Sequence, residues 1–200
     1  MANVIARVPA GAGREPAWSA VVAKVIVVAM IRNLIVIAVG LVLAAPAASA
    51  QSQEPSSLGE FGDWAAYTYM SSQGKVCYAV TRPKSSEPEG ASRDPVFFLI
   101  SHFPKQGIRN EVSTIIGYPF KKESTAQVSI GEQSFELFTS GDGAWADSAS
   151  KDREIVATLK KGKSMEVKGL SWRGTATVDH YSLQGATAAA DKIDEACKPD

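Results

Sequence analysis

The chain has 200 residues, of which 45% are apolar and 21% charged, and its 21 basic residues balance its 21 acidic residues. This is the composition of a globular protein of about one domain, without the bulk positive charge that favours binding to nucleic acid or to an anionic membrane. Two cysteines and two histidines are too few for a zinc finger or an iron–sulfur cluster, so we predict neither a metal nor a cofactor.

An export signal is predicted near the start of the chain. Arg32 lies in a short basic stretch, residues 34–43 are apolar, and Ala48-Ser49-Ala50 has the A-x-A pattern of a cleavage site. We predict a signal peptide over 30–50 that is cleaved after Ala50 and leaves no integral membrane span. This places the protein in the periplasm or the outer envelope. The alternative is a retained membrane anchor, but Arg32 interrupts the roughly 20 apolar residues that a span needs.

The rest of the chain divides into three predicted regions. Residues 1–29 contain prolines and glycines that fit no export signal, so we interpret them as a non-native extension and Met30 as the start of translation. Residues 51–60 are polar and are predicted to be a flexible linker. Residues 61–200 are predicted to form one β-rich domain, and the exported part carries 17 basic and 20 acidic residues.

Eight strands are predicted from clusters of β-branched and aromatic residues. Turn-forming residues separate these clusters at intervals of about 8 to 15 positions. They span 64–70, 75–82, 95–103, 111–118, 126–130, 134–138, 163–170 and 175–180. Short turns, such as the one with Gly131 at a positive φ, favour antiparallel neighbours, whereas 83–94 is predicted to be a long mobile loop. The sequence therefore predicts a mainly β fold: an antiparallel β-sandwich with one short middle helix and one C-terminal helix.

Both helices are predicted from capping residues and apolar periodicity. Ser150 is the candidate cap of a helix over 151–161, which ends at Gly162. Ser182 is the candidate cap of the last helix. There, small and apolar residues recur at helical spacing, which lets a helix lie close to a sheet. The residues of this stripe are Ala186, Ala189, Ala190, Ile193, Ala196 and Cys197.

The two cysteines are predicted to form a structural disulfide. Cys77 lies in a predicted strand and Cys197 in the last helix, and exported proteins meet an oxidising compartment. Two free buried thiols and a redox-active pair are the alternatives. The two cysteines do not have the C-x-x-C spacing that redox-active pairs normally have.

Two groups of residues are candidates for a catalytic or a metal site. Ser171, in Gly169-Leu170-Ser171-Trp172-Arg173-Gly174, resembles a nucleophile elbow only loosely, because its second glycine comes one position late. Its candidate base His180 is adjacent to Asp179, and neighbours on a strand point to opposite faces. His102 has no second ligand at metal-binding spacing, so a hydrogen-bonded histidine on an edge strand is favoured. We assign no catalytic residue and no metal ligand.

Charged and aromatic side chains are the candidates for a binding surface. The runs Lys121-Lys122 and 160–163 have acidic neighbours, which favours a solvated face over an anion site. Aromatic residues recur at strand positions, and several exposed on one sheet face would bind a protein or a glycan. Trp64 is also expected to rest against the core. The candidate binding residues are Trp64, Tyr67, Tyr69, Trp172 and Arg173.

Three stretches resemble the invasion-associated locus B family of exported bacterial proteins. They are Phe61-Gly62-Asp63-Trp64-Ala65-Ala66-Tyr67 with Lys75-Val76-Cys77-Tyr78, then Ile116-Gly117-Tyr118-Pro119-Phe120, then Asp179-His180-Tyr181-Ser182-Leu183-Gln184-Gly185 before an alanine-rich helix. The chain resembles a divergent member, because Tyr67-Thr68 and 141–145 stand where many members have further cysteines. The resemblance implies a soluble or peripherally attached envelope protein with a β-rich fold and no agreed enzymatic residues.

The residues and the resemblance together favour a non-enzymatic envelope protein that binds a protein or another envelope component. One alternative is an envelope serine hydrolase that uses Ser171 and His180. The other is a structural or stress-related envelope protein without a discrete ligand site.

Overall fold

A computed structural model describes residues 54–198 as a mainly β fold with eleven strands and two α-helices. The strands are β1 (Ser56–Phe61), β2 (Trp64–Ser71), β3 (Gly74–Thr81), β4 (Ser85–Glu87), β5 (Phe97–Phe103), β6 (Ile108–Ile115), β7 (Thr125–Ile130), β8 (Gln133–Ser140), β9 (Gly143–Trp145), β10 (Ser164–Leu170) and β11 (Ala176–Ser182). The helices are α1 (Ala149–Leu159) and α2 (Ala186–Ala196). The predicted signal peptide and extension lie outside the described residues. Within residues 54–198 no helix is long and apolar enough to cross a membrane.

All strands belong to one antiparallel sheet in the order β1-β2-β3-β5-β6-β9-β8-β7-β10-β11-β4. The sheet curls until its two ends approach each other. Trp64 Nε1 donates to the Ser182 carbonyl at 3.1 Å, and the Asp63 amide donates to the Gln184 carbonyl at 3.0 Å. This curl gives the sandwich-like arrangement that the strand pattern predicts.

Both helices pack on one face of the sheet, which we call the inner face. The core there includes Ile155, Val156 and Leu159 of α1 and the small-residue stripe of α2. Gly185 begins α2 at φ 91°, and a Cβ on it would collide with the carbonyl oxygen of Phe61. Only glycine therefore fits where the end of β1 meets the start of α2. The predicted apolar stripe of the last helix is confirmed.

A disulfide between Cys77 of β3 and Cys197 fixes the end of α2 to the sheet. The two Cα atoms are 6.1 Å apart, within the range that a disulfide can span. Both residues are buried. The predicted pairing is confirmed, and no free cysteine is present in the described residues.

Three short or polar strands were not predicted. Residues 56–60, interpreted as a flexible linker, belong to β1, which pairs with β2 along the sheet edge. Polar side chains are tolerated there because an edge strand is half solvated, so composition did not reveal it. The loop at 83–94, interpreted as mobile, contains β4 and is bonded to β11. The third, β9, is only three residues long and forms by pairing with β6 and β8.

Both predicted helix caps are wrong in position. Ser148, not Ser150, caps α1, and its Oγ accepts a hydrogen bond from the Lys151 amide at 3.3 Å. Ser182 caps nothing: its Oγ accepts from the Gln184 amide, and Gly185 is the N-cap of α2. Ser148 and Ser150 are equally good caps by residue type, and the cap of α2 is a glycine, so the docking of each helix on the sheet decides where it begins.

A buried carboxylate joins α1 to the sheet. Oδ1 of Asp152 accepts a hydrogen bond from the Val112 amide at 2.8 Å. Val112 is the residue of β6 next to Ser113, where the pairing of β6 with β9 ends. Burial raises the pKa of Asp152 to about 6, although the Val112 amide opposes the shift. Burial, with the nearby charge of Asp152, also raises the pKa of Glu111. At neutral pH, burial of the ionised Asp152 carboxylate therefore lowers the free energy of unfolding.

We expect Asp152→Asn to stabilise the protein at pH 7 by roughly 1–3 kcal/mol, because the amide keeps the acceptor oxygen without the buried charge. The raised folded pKa of Asp152 means that the wild-type gains stability as the pH falls through about 6 towards the unfolded value of 3.8. The advantage of the variant should therefore vanish near pH 4. Urea unfolding of both proteins at pH 4 and pH 7 measures this, and equal stability at pH 7 would contradict it.

Candidate functional site

The sheet face opposite the two helices carries a second cluster of apolar and aromatic side chains. Alternation along β2, β3, β5 and β6 sends every second residue to this outer face. The cluster contains no residue of α1 or α2 within the described chain. Its buried floor consists of Tyr78, Val80, Phe97, Leu99 and Ile115, and its half-buried rim of Ala65, Tyr67 and Tyr69.

Two tyrosines of β2 pack around a third on β3. The Tyr67 and Tyr78 rings are stacked, with centroids 5.4 Å apart and an interplanar angle of 24°. The Tyr69 ring meets Tyr78 edge-on at 6.1 Å. Tyr67 pairs directly with Tyr78 across the β2–β3 ladder, so the register itself brings the rings together. Burial, followed by the proximity of Tyr67 and Tyr69, raises the pKa of Tyr78, which keeps its hydroxyl protonated.

The same face continues across the sheet to β8. Residues that are directly opposite on neighbouring strands share a face. Ladder partners run from Leu99 to Ser113, from Ser113 to Trp145 and from Trp145 to Phe138. The Phe138 and Trp145 rings are stacked at 5.9 Å, and Phe138 is 39% exposed. We call the set formed by Tyr67, Tyr69, Tyr78, Phe97, Trp145 and Phe138 the aromatic face.

One cation lies beside the aromatic face. The guanidinium of exposed Arg82 is 4.9 Å from the centroid of the Phe97 ring, which is a cation–π contact. The face thus combines ring surfaces with phenol hydroxyls and a guanidinium. Such a mixture contacts apolar groups and donates hydrogen bonds at the same time.

The structure separates the five candidate binding residues. Tyr67 and Tyr69 lie on the aromatic face. Trp64 is 1% exposed on the inner face, where it meets Phe98 edge-on, so it supports the core as expected and does not belong to the aromatic face. Trp172 and Arg173 lie in the turn between β10 and β11. Phe138 and Trp145 were not predicted as binding residues, because β9, which brings them together, was not predicted.

His102 is buried and fully hydrogen-bonded. Its Nδ1 accepts from the Asn110 amide at 3.0 Å, which leaves the proton on Nε2, 3.0 Å from Oδ1 of Asp194. Burial lowers the pKa of His102, and the charge of Asp194 opposes the shift only in part. The satisfied histidine was predicted, but its position was wrong, because β5 is a central strand. Within residues 54–198 no three His, Cys, Asp or Glu side chains are placed to hold a metal.

Ser171 and His180 are not brought together. Oγ of buried Ser171 accepts a hydrogen bond from the Thr175 amide, within the turn. His180 lies opposite Glu166 of β10. Glu166 is five positions before Ser171, a distance of roughly 16 Å along an extended chain. Its ring faces the carboxylates of Glu87 and Glu166 instead. Asp179 points to the opposite side, where it binds Arg93. This arrangement contains no serine–histidine pair for acyl transfer.

Comparison with known proteins identifies the family. The family model described as "Invasion associated locus B (IalB) protein" matches residues 64–194. The chain belongs to the IalB family. The resemblance seen in three stretches of sequence is therefore confirmed, and the match spans the fold from β2 almost to the end of α2.

A similar protein is found among the solved structures. The crystal structure of invasion associated protein b from Bartonella henselae is 16% identical to this chain and has a TM-score of 0.49. The match covers 70% of this chain and 97% of that chain. No curated protein gives a significant match.

Proposed function

We propose that this protein is a non-enzymatic exported protein of the periplasm or outer envelope that binds a protein or envelope glycan through its aromatic face. Membership of the IalB family and the A-x-A sequence that ends at Ala50 support export. The observation that carries the binding role is the aromatic and apolar surface across six strands, from Tyr67 on β2 to Phe138 on β8.

The shape of this surface suits a binding role better than a catalytic one. Its floor is buried, while Tyr67, Tyr69 and Trp145 are half-buried and Phe138 is exposed. Rings held by stacking against neighbours lose little conformational entropy when a partner covers them. Partly exposed aromatic side chains that share one sheet face are typical of an interaction site.

Site-specific photo-crosslinking in intact cells tests the proposal. A photoreactive phenylalanine analogue at position 67 should capture a partner, because Tyr67 lies on the rim of the aromatic face. A glycan adduct would be sensitive to glycosidases and a protein adduct to proteases. The same analogue in place of Lys192, on the helix side of the sheet, is the matched control. Equal labelling from both positions, or none from position 67, would contradict the proposal and favour a structural role.

A further inference from the structure

The turn between β10 and β11 is held rigidly against a neighbouring segment. The Trp172 amide donates to the Pro119 carbonyl and the Lys121 amide to the Leu170 carbonyl, both at 2.9 Å. Inside the turn, the Gly174 amide donates to the Ser171 carbonyl at 2.8 Å. Residues 118–124 and 171–175 are therefore joined into one hydrogen-bonded unit, which we call the tip.

The tip exposes a tryptophan. Trp172 is 59% exposed, the highest value among the large apolar side chains of the described residues. Pro119, whose carbonyl accepts from the Trp172 amide, is exposed beside it. Because the backbone of the turn is fixed by hydrogen bonds, this exposure is a property of the folded state. An exposed indole on an ordered turn offers apolar area and an N–H donor that an interface can cover.

The tip carries three cations, one of which contacts the indole. The guanidinium of Arg173 lies 4.9 Å from the centroid of the Trp172 ring, and Lys121 and Lys122 are exposed on the adjoining segment. Within residues 54–198 none of these three cations forms an ion pair, whereas Lys84, Lys151 and Lys160 each do. Glu123 is the one acidic residue of the two segments. The tip is thus locally positive on a domain with more acids than bases.

We propose that the tip docks the protein peripherally on an anionic phospholipid bilayer. Tryptophan prefers the interface between the headgroups and the acyl chains, where its ring is buried and its N–H remains hydrated. Arg173 beside the indole, and exposed Lys121 and Lys122 on the adjoining segment, would bind lipid phosphates. The tip is separate from the aromatic face. Its proposed role therefore does not depend on the binding role proposed above.

The strength of this attachment follows from its few contacts. Each cation near an anionic surface raises the partition coefficient about fivefold, and burial of the indole raises it about tenfold or more. One ring and three cations give reversible binding. Screening should weaken it when salt rises from about 0.1 M to about 1 M, as the Debye length falls from about 10 Å to about 3 Å.

Vesicle flotation with the protein recovered from the cell envelope tests the proposal. The probes are vesicles of phosphatidylcholine alone and of phosphatidylcholine with phosphatidylglycerol. We expect binding to the anionic vesicles, a loss of about tenfold or more in Trp172→Ala, and a loss of about 25-fold or more in Lys121→Glu/Lys122→Glu. Lys161→Glu/Lys163→Glu makes the same charge change elsewhere on the surface and should alter binding less than about twofold.

Three results would overturn the proposal. The first is equal binding of the wild-type and Trp172→Ala to anionic vesicles. The second is an equal loss in the two charge-reversed proteins, which would indicate general electrostatics rather than the tip. The third is binding that depends on Trp172 to soluble polyglutamate but not to vesicles, which would assign the tip to an acidic polypeptide. Circular dichroism of each variant checks that it folds.

Discussion

Arg93→Met is expected to destabilise the protein by about 3–5 kcal/mol, because it leaves a buried carboxylate without its counter-charge. Asp179 is fully buried on β11. Nη1 of Arg93 donates to its Oδ2 at 3.0 Å, Nη2 of Arg93 contacts Oδ1, and Ser86 donates to Oδ1 at 2.6 Å. In the variant only Ser86 remains, and one neutral hydroxyl cannot offset the desolvation of the charge.

Chemical denaturation measures this loss, and two variants serve as controls. Arg82→Met removes an exposed arginine from the start of the same loop and should cost less than about 1 kcal/mol. Arg93→Met/Asp179→Asn removes both charges and should recover part of the stability, since a neutral amide is less costly to bury. If Arg93→Met unfolded at the same denaturant concentration as Arg82→Met, the ion pair would not hold the loop to the sheet.

The same ion pair shows which parts of the fold local sequence could predict. The eight predicted strands and both helices came from patterns that span a few residues. The loop that holds Arg93 is polar and rich in proline and glycine, so it looks mobile by composition. Its order depends on Asp179, 86 positions later. No periodicity within a window of the sequence carries that information.

The candidate site was predictable only in part, for a related reason. Alternation in β2 was enough to place Tyr67 and Tyr69 on one face, opposite Trp64. The union of these tyrosines with Trp145 and Phe138 requires the register of five successive strand pairs. One of those strands, β9, has three residues and no pattern of its own. Long-range pairing, rather than residue preference, therefore sets the extent of the aromatic face.

Removal of the disulfide by Cys197→Ser is expected to cost about 2–4 kcal/mol and to lower the unfolding midpoint by roughly 5–15 °C. The bridge joins residues separated by 120 positions, so it restricts a long loop of the unfolded chain. Its loss leaves other contacts at the end of α2 in place. Arg109 donates to the Cys197 carbonyl at 3.0 Å and pairs with Asp194 at 2.6 Å. The variant should therefore still fold at room temperature.

Calorimetry with and without reductant separates the bridge from the packing of the residue itself. Reduced wild-type protein should unfold at nearly the midpoint of Cys77→Ser/Cys197→Ser, because both lack the crosslink while burying side chains of similar size. Reductant should leave that double variant unchanged. A wild-type midpoint that did not move on reduction would mean that the crosslink adds nothing to stability. Arg109, Asp194 and the burial of α2 would then account for how the last helix is held against β3.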